Sequence, residues 1–237
     1  MSMKNGLRRR LCLAAVLVVL MGGSAVSQII QGALIFGANL TQVDGDEVFG
    51  FNNVGLNAGA AAIVPFGDNW SMSLEALYSQ KGAHRKKQWN VDDPTRDGSY
   101  DYNLNYAEIP LLVHYNDKDV MTFGAGFSYG RLVSYDEIDN RDPNYVYVEY
   151  EAPPSIHNVE FLADVRFRVY KNLKMNFRYS YSLFSYRDAT FHWEGLDHPE
   201  ERSQYHNVIT WRLMWVINER QSRRTQKETE IFNDIGR

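Results

Sequence analysis

Between residues 158 and 169 the chain alternates without a break. Val159, Phe161, Ala163, Val165, Phe167 and Val169 fall on one face, and Asn158, Glu160, Leu162, Asp164, Arg166 and Arg168 on the other. A period of two marks an extended strand with two unlike faces. The pattern recurs in most of eight segments. At about 31–42, Leu34, Phe36, Ala38 and Leu40 oppose Gly37, Asn39 and Thr41; at about 53–65, Val54, Leu56, Ala58, Ala60, Ala62 and Val64 oppose Asn53, Gly55, Asn57 and Gly59. The third segment, about 70–82, sets Met72, Leu74, Ala76 and Tyr78 against Ser71, Ser73, Glu75, Ser79 and Lys81. The fourth, about 104–115, sets Asn105, Ala107, Ile109, Leu111, Val113 and Tyr115 against Tyr106, Glu108, Pro110, Leu112 and His114. The fifth, about 120–133, has Met121, Phe123, Ala125, Phe127 and Tyr129 on its apolar face and Thr122, Gly124, Gly126, Ser128 and Gly130 on the other. After the opening example come about 173–184, with Lys174, Asn176 and Arg178 on the polar face, and about 206–217, with His206, Thr210 and Arg212 there.

A soluble sandwich would bury the apolar faces and wet the charged ones. Eight such strands behind a secretory leader suit the opposite arrangement, with apolar faces toward lipid and charged faces filling a narrow lumen. The connections alternate in length. Those at 67–69, 116–119 and 171–172 are short; those at about 43–52, 83–103, 134–156 and 185–205 are long and polar. This is how outer-membrane barrels are built, and it predicts an all-β, monomeric, eight-stranded antiparallel up-and-down transmembrane barrel with both termini on the short-turn, periplasmic side. Pro110 cannot donate to a ladder, and a closed barrel offers no edge to hold it, so it is expected at a bulge.

The leader has a basic start (Lys4, Arg8, Arg9, Arg10), an apolar stretch at 11–21, and small residues Ala25-Val26-Ser27 that predict cleavage before Gln28. Arg8-Arg9-Arg10-Leu11 has a faint likeness to a twin-arginine signal, but a barrel crosses the inner membrane unfolded, which favours the general secretory route. The apolar stretch is too short for a transmembrane helix, and no other stretch approaches ~20 apolar residues. The predicted organisation is therefore a signal peptide at 1–27, the barrel at 28–218 and a periplasmic tail at 219–237. The one cysteine, Cys12, lies in the leader, which leaves the mature chain without a disulfide or thiolate metal site. Without the leader, Lys+Arg falls from 25 to 25 − 4 = 21 against 29 Asp+Glu, a net charge of 21 − 29 = −8. Such a surface argues against a nucleic-acid partner. The 15 Tyr and 5 Trp suit interfacial girdles.

Gly37-Ala38-Asn39-Leu40-Thr41-Gln42 followed by Gly55-Leu56-Asn57-Ala58-Gly59 resembles the opening strands of the PorT-like outer-membrane β-barrel family of the Bacteroidota. Glu75-Ala76-Leu77-Tyr78-Ser79-Gln80-Lys81-Gly82 is similar to that family's third strand, and Leu104-Asn105-Tyr106-Ala107-Glu108-Ile109-Pro110-Leu111-Leu112 to its fourth. The likeness runs over roughly residues 30–217. It implies an eight-stranded barrel in the outer membrane of that phylum; the family's namesake belongs to the type IX secretion machinery. The chain departs from the family by continuing past its last strand, which leaves the assembly signal to the internal strand ending at Ile217.

The inward faces carry the candidate chemistry. Glu75, Lys81, Glu108, His114, Glu160, Asp164, Arg166, Arg168, Lys174, Arg178 and Arg212 all point into the lumen on this reading. An eight-stranded barrel is only wide enough for side chains to fill. Charges inside it must pair, because unpaired buried charge is expensive, so the set is expected to be a structural, salt-bridged plug rather than a pore. His206, Ser182 and Glu108 are the residues a rim hydrolase or acyltransferase would need, but no nucleophile motif surrounds Ser182. Asp136, Glu137, Asp139 and Asp142 lack the glycine and terminal glutamate of a calcium loop, and His192, Glu194 and His198 match no zinc spacing. No catalytic residue, metal or cofactor is assigned. The run His84-Arg85-Lys86-Lys87, offset by Asp92, Asp93, Asp97 and Asp101, is a rim patch in reach of lipid phosphates. Arg220, Arg223, Arg224 and Lys227, then Ile231, Phe232 and Ile235, make the tail basic and then apolar. The function expected is a non-enzymatic component of a cell-envelope machine. It would contact outer-membrane lipid, lipopolysaccharide and an envelope protein through its long loops or residues 219–237. A lipid- or peptide-processing barrel enzyme stands second and a small-solute channel third.

Overall fold

The computed structural model describes residues 30–66, 69–86, 98–117, 120–141, 146–193 and 198–219. The leader with its cleavage site, the tail from Arg220, and Gly67, Asp68, Lys87, Asp92, Asp93, Asp97, Asp142, Glu194 and Asp197 lie outside these residues. Among the described residues ten strands form: β1 (Gln31–Asp44), β2 (Asn53–Phe66), β3 (Trp70–Arg85), β4 (Tyr100–Asp117), β5 (Met121–Asp139), β6 (Val146–Tyr150), β7 (His157–Tyr170), β8 (Leu173–Ser182), β9 (Arg187–Trp193) and β10 (Glu200–Val216). Eight of them close a ring in the order β1-β2-β3-β4-β5-β7-β8-β10. The seam is an antiparallel ladder between β10 and β1, from Ala33↔Val216 to Asp44↔Tyr205. Closure leaves no open edge within the ring, which a membrane demands because lipid cannot satisfy a strand's N–H and C=O groups.

The apolar faces point outward. Phe36 is 66% exposed, Leu74 51%, Phe127 56% and Trp215 50%, while Ser73, His114, Asn176 and Arg212 on the alternate positions are fully enclosed. Trp70 and Tyr115 meet edge to face at 5.2 Å near the short-turn rim. Tyr78, Tyr129 and Tyr179 mark the opposite rim. From Trp70 to Tyr78 the strand advances about 26 Å, or about 20 Å along the normal at a tilt of about 40°. With the bulk of the rings added, that approaches the ~25 Å apolar band of an outer-membrane barrel.

Two expectations need correcting. Pro110 does not sit at a bulge. Its pairing with Ser128 on β5 is regular, and on the β3 side the ladder passes from Leu74↔Leu111 to Leu77↔Glu108 without a change of register. The missing N–H costs a rung but adds no residue. The register shift lies at Asn105/Tyr106, where Val133 is the additional residue on β5.

The long connections are also not simply loops. β3 runs on to Arg85, β4 begins at Tyr100, β5 reaches Asp139 and β10 begins at Glu200, while β6 and β9 fall within the segments expected as loops. Tyr100, Tyr102, Leu104 and Tyr106 explain why, since all four are fully buried on the inner face of β4. With Val43, Val48, Ala83 and Tyr186 they make a second core above the aromatic rim.

Candidate functional site

The lumen is filled in tiers. In the middle, Glu75 of β3 takes two bonds from Arg178 of β8, Nη1 to Oε2 at 3.0 Å and Nη2 to Oε1 at 2.9 Å. Arg166 of β7 reaches Glu75 Oε1 at 3.2 Å, and Arg212 of β10 approaches Oε2 at 3.1 Å. Asp164 of β7 accepts from Arg178 at 2.9 Å and from Arg166 at 3.3 Å, with Arg212 at 3.9 Å. Arg212 also donates through Nε to Asn176 at 2.5 Å. His114 Nε2 accepts from Arg166 at 3.0 Å and from the Ser73 hydroxyl at 2.7 Å, which puts its ring proton on Nδ1, 3.5 Å from Asp164 Oδ1. Three guanidiniums thus hold two carboxylates across β3, β7, β8 and β10, while Asp164 Oδ1 and the Nε atoms of Arg166 and Arg178 are buried without a hydrogen bond among the described residues. β5 makes room for them: a Cβ on Gly124 would lie 2.2 Å from His114 Nδ1 and 2.3 Å from Asp164 Oδ1.

Above this tier Lys81 lies between Glu108, at 2.5 Å, and Glu160, to which it also hydrogen-bonds. Glu160 accepts from Asn158 as well, at 2.9 Å. At the short-turn mouth Arg168 and Lys174 converge on a residue that sequence patterning did not bring to the lumen. Arg168 donates to both oxygens of Glu219, at 2.7 and 2.9 Å, and Lys174 Nζ is 3.0 Å from Oε1. Glu219 follows the last strand, where alternation gives no guide. Burial alone would raise its pKa, but the Arg168 and Lys174 cations hold it down at about 2.

At the long-loop end, above the tyrosine rim, sequence reasoning missed a second group. Arg187 of β9 donates to Glu137 of β5 at 2.7 and 3.2 Å and to Gln204 at 2.9 Å. Its guanidinium lies over the rings of Tyr150, at 3.8 Å, and Tyr102, at 4.4 Å. The hydroxyls of Tyr100 and Tyr150 add bonds to Glu137 of 2.7 and 2.9 Å. Burial pushes the Glu137 carboxyl up, yet Arg187 and the two hydroxyls hold it below the usual carboxylate range. The first long connection folds inward here. Val48 is buried, its N–H is held by Asp46 Oδ1 at 2.8 Å, and Arg202 pairs with Glu47. Burial lifts the Asp46 pKa to about 7 despite that bond and the nearby Arg141 and Arg187.

The catalytic candidates do not form a triad. Ser182 Oγ donates to Asn158 Oδ1 and accepts from the His206 backbone N–H, both at 3.0 Å, so the contact does not run through the imidazole. The His206 ring stacks on Tyr186 at 4.1 Å and bonds the Tyr106 hydroxyl at 3.0 Å, while Glu108 is taken by Lys81. Among the described acidic loop residues, Glu137 pairs with Arg187 and Asp139 with Arg141. His192 lies 3.8 Å from Glu149, and no group of three metal-ligating side chains is present among the described residues. His84 pairs with Asp101 at 2.5 Å on the outer rim.

A family model described as an outer membrane protein beta-barrel domain matches residues 22–187. Among solved structures, the chain is similar to the attachment invasion locus protein Ail of Yersinia pestis, at 11% identity over 79% of this chain and 99% of that one, with a TM-score of 0.42. It is also similar to Neisserial surface protein A, at 10% identity over 78% and 97%, with a TM-score of 0.45. A major outer membrane protein from Thermus thermophilus matches at 9% identity over 79% and 99%, with a TM-score of 0.43. No curated protein matches the chain.

Proposed function

Because this chain belongs to the family of outer membrane protein β-barrel domains, we propose that it works as a closed, non-enzymatic barrel that holds a rigid structure at its long-loop end for a partner in a cell-envelope machine. One observation carries this reading. Glu75 and Asp164, both enclosed, are held by Arg166, Arg178 and Arg212 in the middle of the lumen. A pore would need water where these side chains meet, and removing a partner from such a buried set costs several kcal/mol. The plug is therefore a structural element that makes the barrel stiff and shut. The chain crosses the outer membrane with eight strands, both termini on the periplasmic side and the long connections outside. That orientation is supported by the short turns at one rim and by the β-structured extensions at the other.

The likeness to the PorT-like family makes type IX secretion one candidate machine, with residues 219–237 and the long connections as the surfaces that would meet protein, and the rim meeting lipid and lipopolysaccharide. The lumen charges serve structure, and no catalytic or metal role is assigned to them. Planar-bilayer recording on the purified protein tests the closed barrel directly. No unitary conductance is expected; steady single-channel steps would end the proposal. Gentle extraction from the native membrane, with and without residues 219–237, then identifies the machine. A secretion component recovered with the full chain is the expected result, and recovery of the barrel alone would remove the machine from the proposal.

A further inference from the structure

Above the tyrosine rim the wall of the barrel has a gap. β5 pairs with β7 only as far as Arg131↔His157, yet it continues to Asp139 with β4 as its one ladder partner among the described residues. On the other side of the gap β6 ladders, among the described residues, only with β9. The last backbone bond across is from the Leu132 N–H to the Ile156 carbonyl, 2.8 Å. Higher up, no backbone bond joins β5 to β6 among the described residues; side chains span the gap, with Tyr150 of β6 and Arg187 of β9 both bonded to Glu137. An unpaired strand edge is a template for another strand.

We propose that the edge of β5 over 133–139 is the docking site of an extended, cationic peptide segment with apolar residues between its basic ones. This rests on the display reading given above. Two observations set the chemistry of the occupant. Val133, Ile138, Tyr147 and Ile156, between 51% and 64% exposed, flank the gap beyond the reach of the apolar band and offer contacts for the apolar side chains. The charges at the gap are mainly acidic. Asp136 and Glu151 are exposed, the Glu149 side chain is 66% exposed, and Asp139 is present with Arg141. Facing them are Arg131 on β5, His157 on β7, which bonds Tyr129, and His192 on β9, near Glu149. A second copy of this chain would set acid against acid at the same edge, which disfavours self-pairing. A basic strand meets the opposite sign.

The test uses the full chain in zwitterionic lipid nanodiscs and a labelled Lys-Val-Lys-Val-Lys-Val-Lys peptide, followed by fluorescence anisotropy and by hydrogen exchange. Binding should weaken with salt, and the exchange protection gained should map to 133–139. Methylating alternate backbone nitrogens of the peptide should weaken binding about tenfold, the loss of one or two ladder bonds. The double variant Asp136→Asn/Glu149→Gln, altered only at exposed positions, should weaken binding several-fold and flatten the salt dependence. Equal binding of the methylated peptide, equal binding to empty nanodiscs, protection elsewhere, or no binding would each overturn the proposal. A non-conducting barrel that ignores the peptide refutes the docking site alone, whereas a conducting one refutes the closed barrel itself.

Discussion

Glu75→Gln is the sharpest perturbation of the lumen. The amide keeps the shape of the side chain and removes its charge. In the native barrel, Arg166, Arg178 and Arg212 face Glu75 and Asp164, a local sum of 3 − 2 = +1 with His114 neutral. In the variant the sum becomes 3 − 1 = +2, and three guanidiniums share one carboxylate. Breaking a buried pair by removing one partner costs roughly 3–5 kcal/mol. Glu75 engages three cations and is 1% exposed, so the upper part of that range is expected. The assay is reversible urea unfolding in lipid vesicles, followed by the emission of the outward-facing tryptophans Trp70, Trp211 and Trp215. Pairing Glu75→Gln with Arg178→Gln restores the sum to +1, and the double variant should recover part of the loss, a coupling that a cycle resolves. A cost for Glu75→Gln below about 1 kcal/mol, with no coupling, would mean that water screens these charges. The plugged-lumen argument would then fail.

Other outcomes follow from the same geometry. Leu74→Arg, at mid-height on the outer face, should destabilise the barrel by about 2–4 kcal/mol in vesicles, as arginine does at a bilayer midplane. A soluble sheet would barely notice a change at a side chain this exposed. Gly124→Ala should lower the unfolding midpoint, because the new methyl meets His114 and Asp164, which the arginines hold in place. The Asp46 carboxyl, with its pKa lifted to about 7, binds its proton more tightly folded than unfolded. The stability of segment 45–52 should therefore be greatest below about pH 4 and fall on the order of a few kcal/mol as pH rises toward 7. Hydrogen exchange at Val48 should follow that curve, and Asp46→Asn should flatten it. Glu219, depressed to about 2, has the opposite sign. Its contribution is full above about pH 4 and is lost as pH falls toward 2. Glu219→Gln should cost about 1–3 kcal/mol at neutral pH and remove that acid limb; an unchanged limb would show that the Arg168–Lys174 latch does not secure the mouth.

The second core above the rim changes how the long connections are to be understood. Tyr102 stacks with Tyr186, Tyr186 stacks on His206, and Arg187 lies between Tyr102 and Tyr150. Such a stack holds β4, β9 and β10 in fixed relation beyond the membrane. The extensions are accordingly stiff, and a partner that meets them has little ordering cost to overcome.

The identity and facing of the eight ring strands were legible in the chain, because each depends on a period of two within a dozen residues, whereas β6 and β9 were not. Leu34, Leu74, Phe127 and Trp215 could be set outward, and Glu75, Asp164, Arg178 and Arg212 inward, without knowing any partner. The extension of β4 to Tyr100 escaped the sequence, because Tyr100-Asp101-Tyr102-Asn103 is polar enough to look like loop. What the tertiary structure alone decided was which inward charges meet. Glu75 and Arg178 are 103 positions apart and come together only through the register at which the ring closes. The same holds for the register shift at Val133, displaced from Pro110, for the inward fold of Asp46 and Val48, and for Glu219 at the short-turn mouth. Alternation is a local property of a strand, whereas stagger and closure belong to all eight strands together.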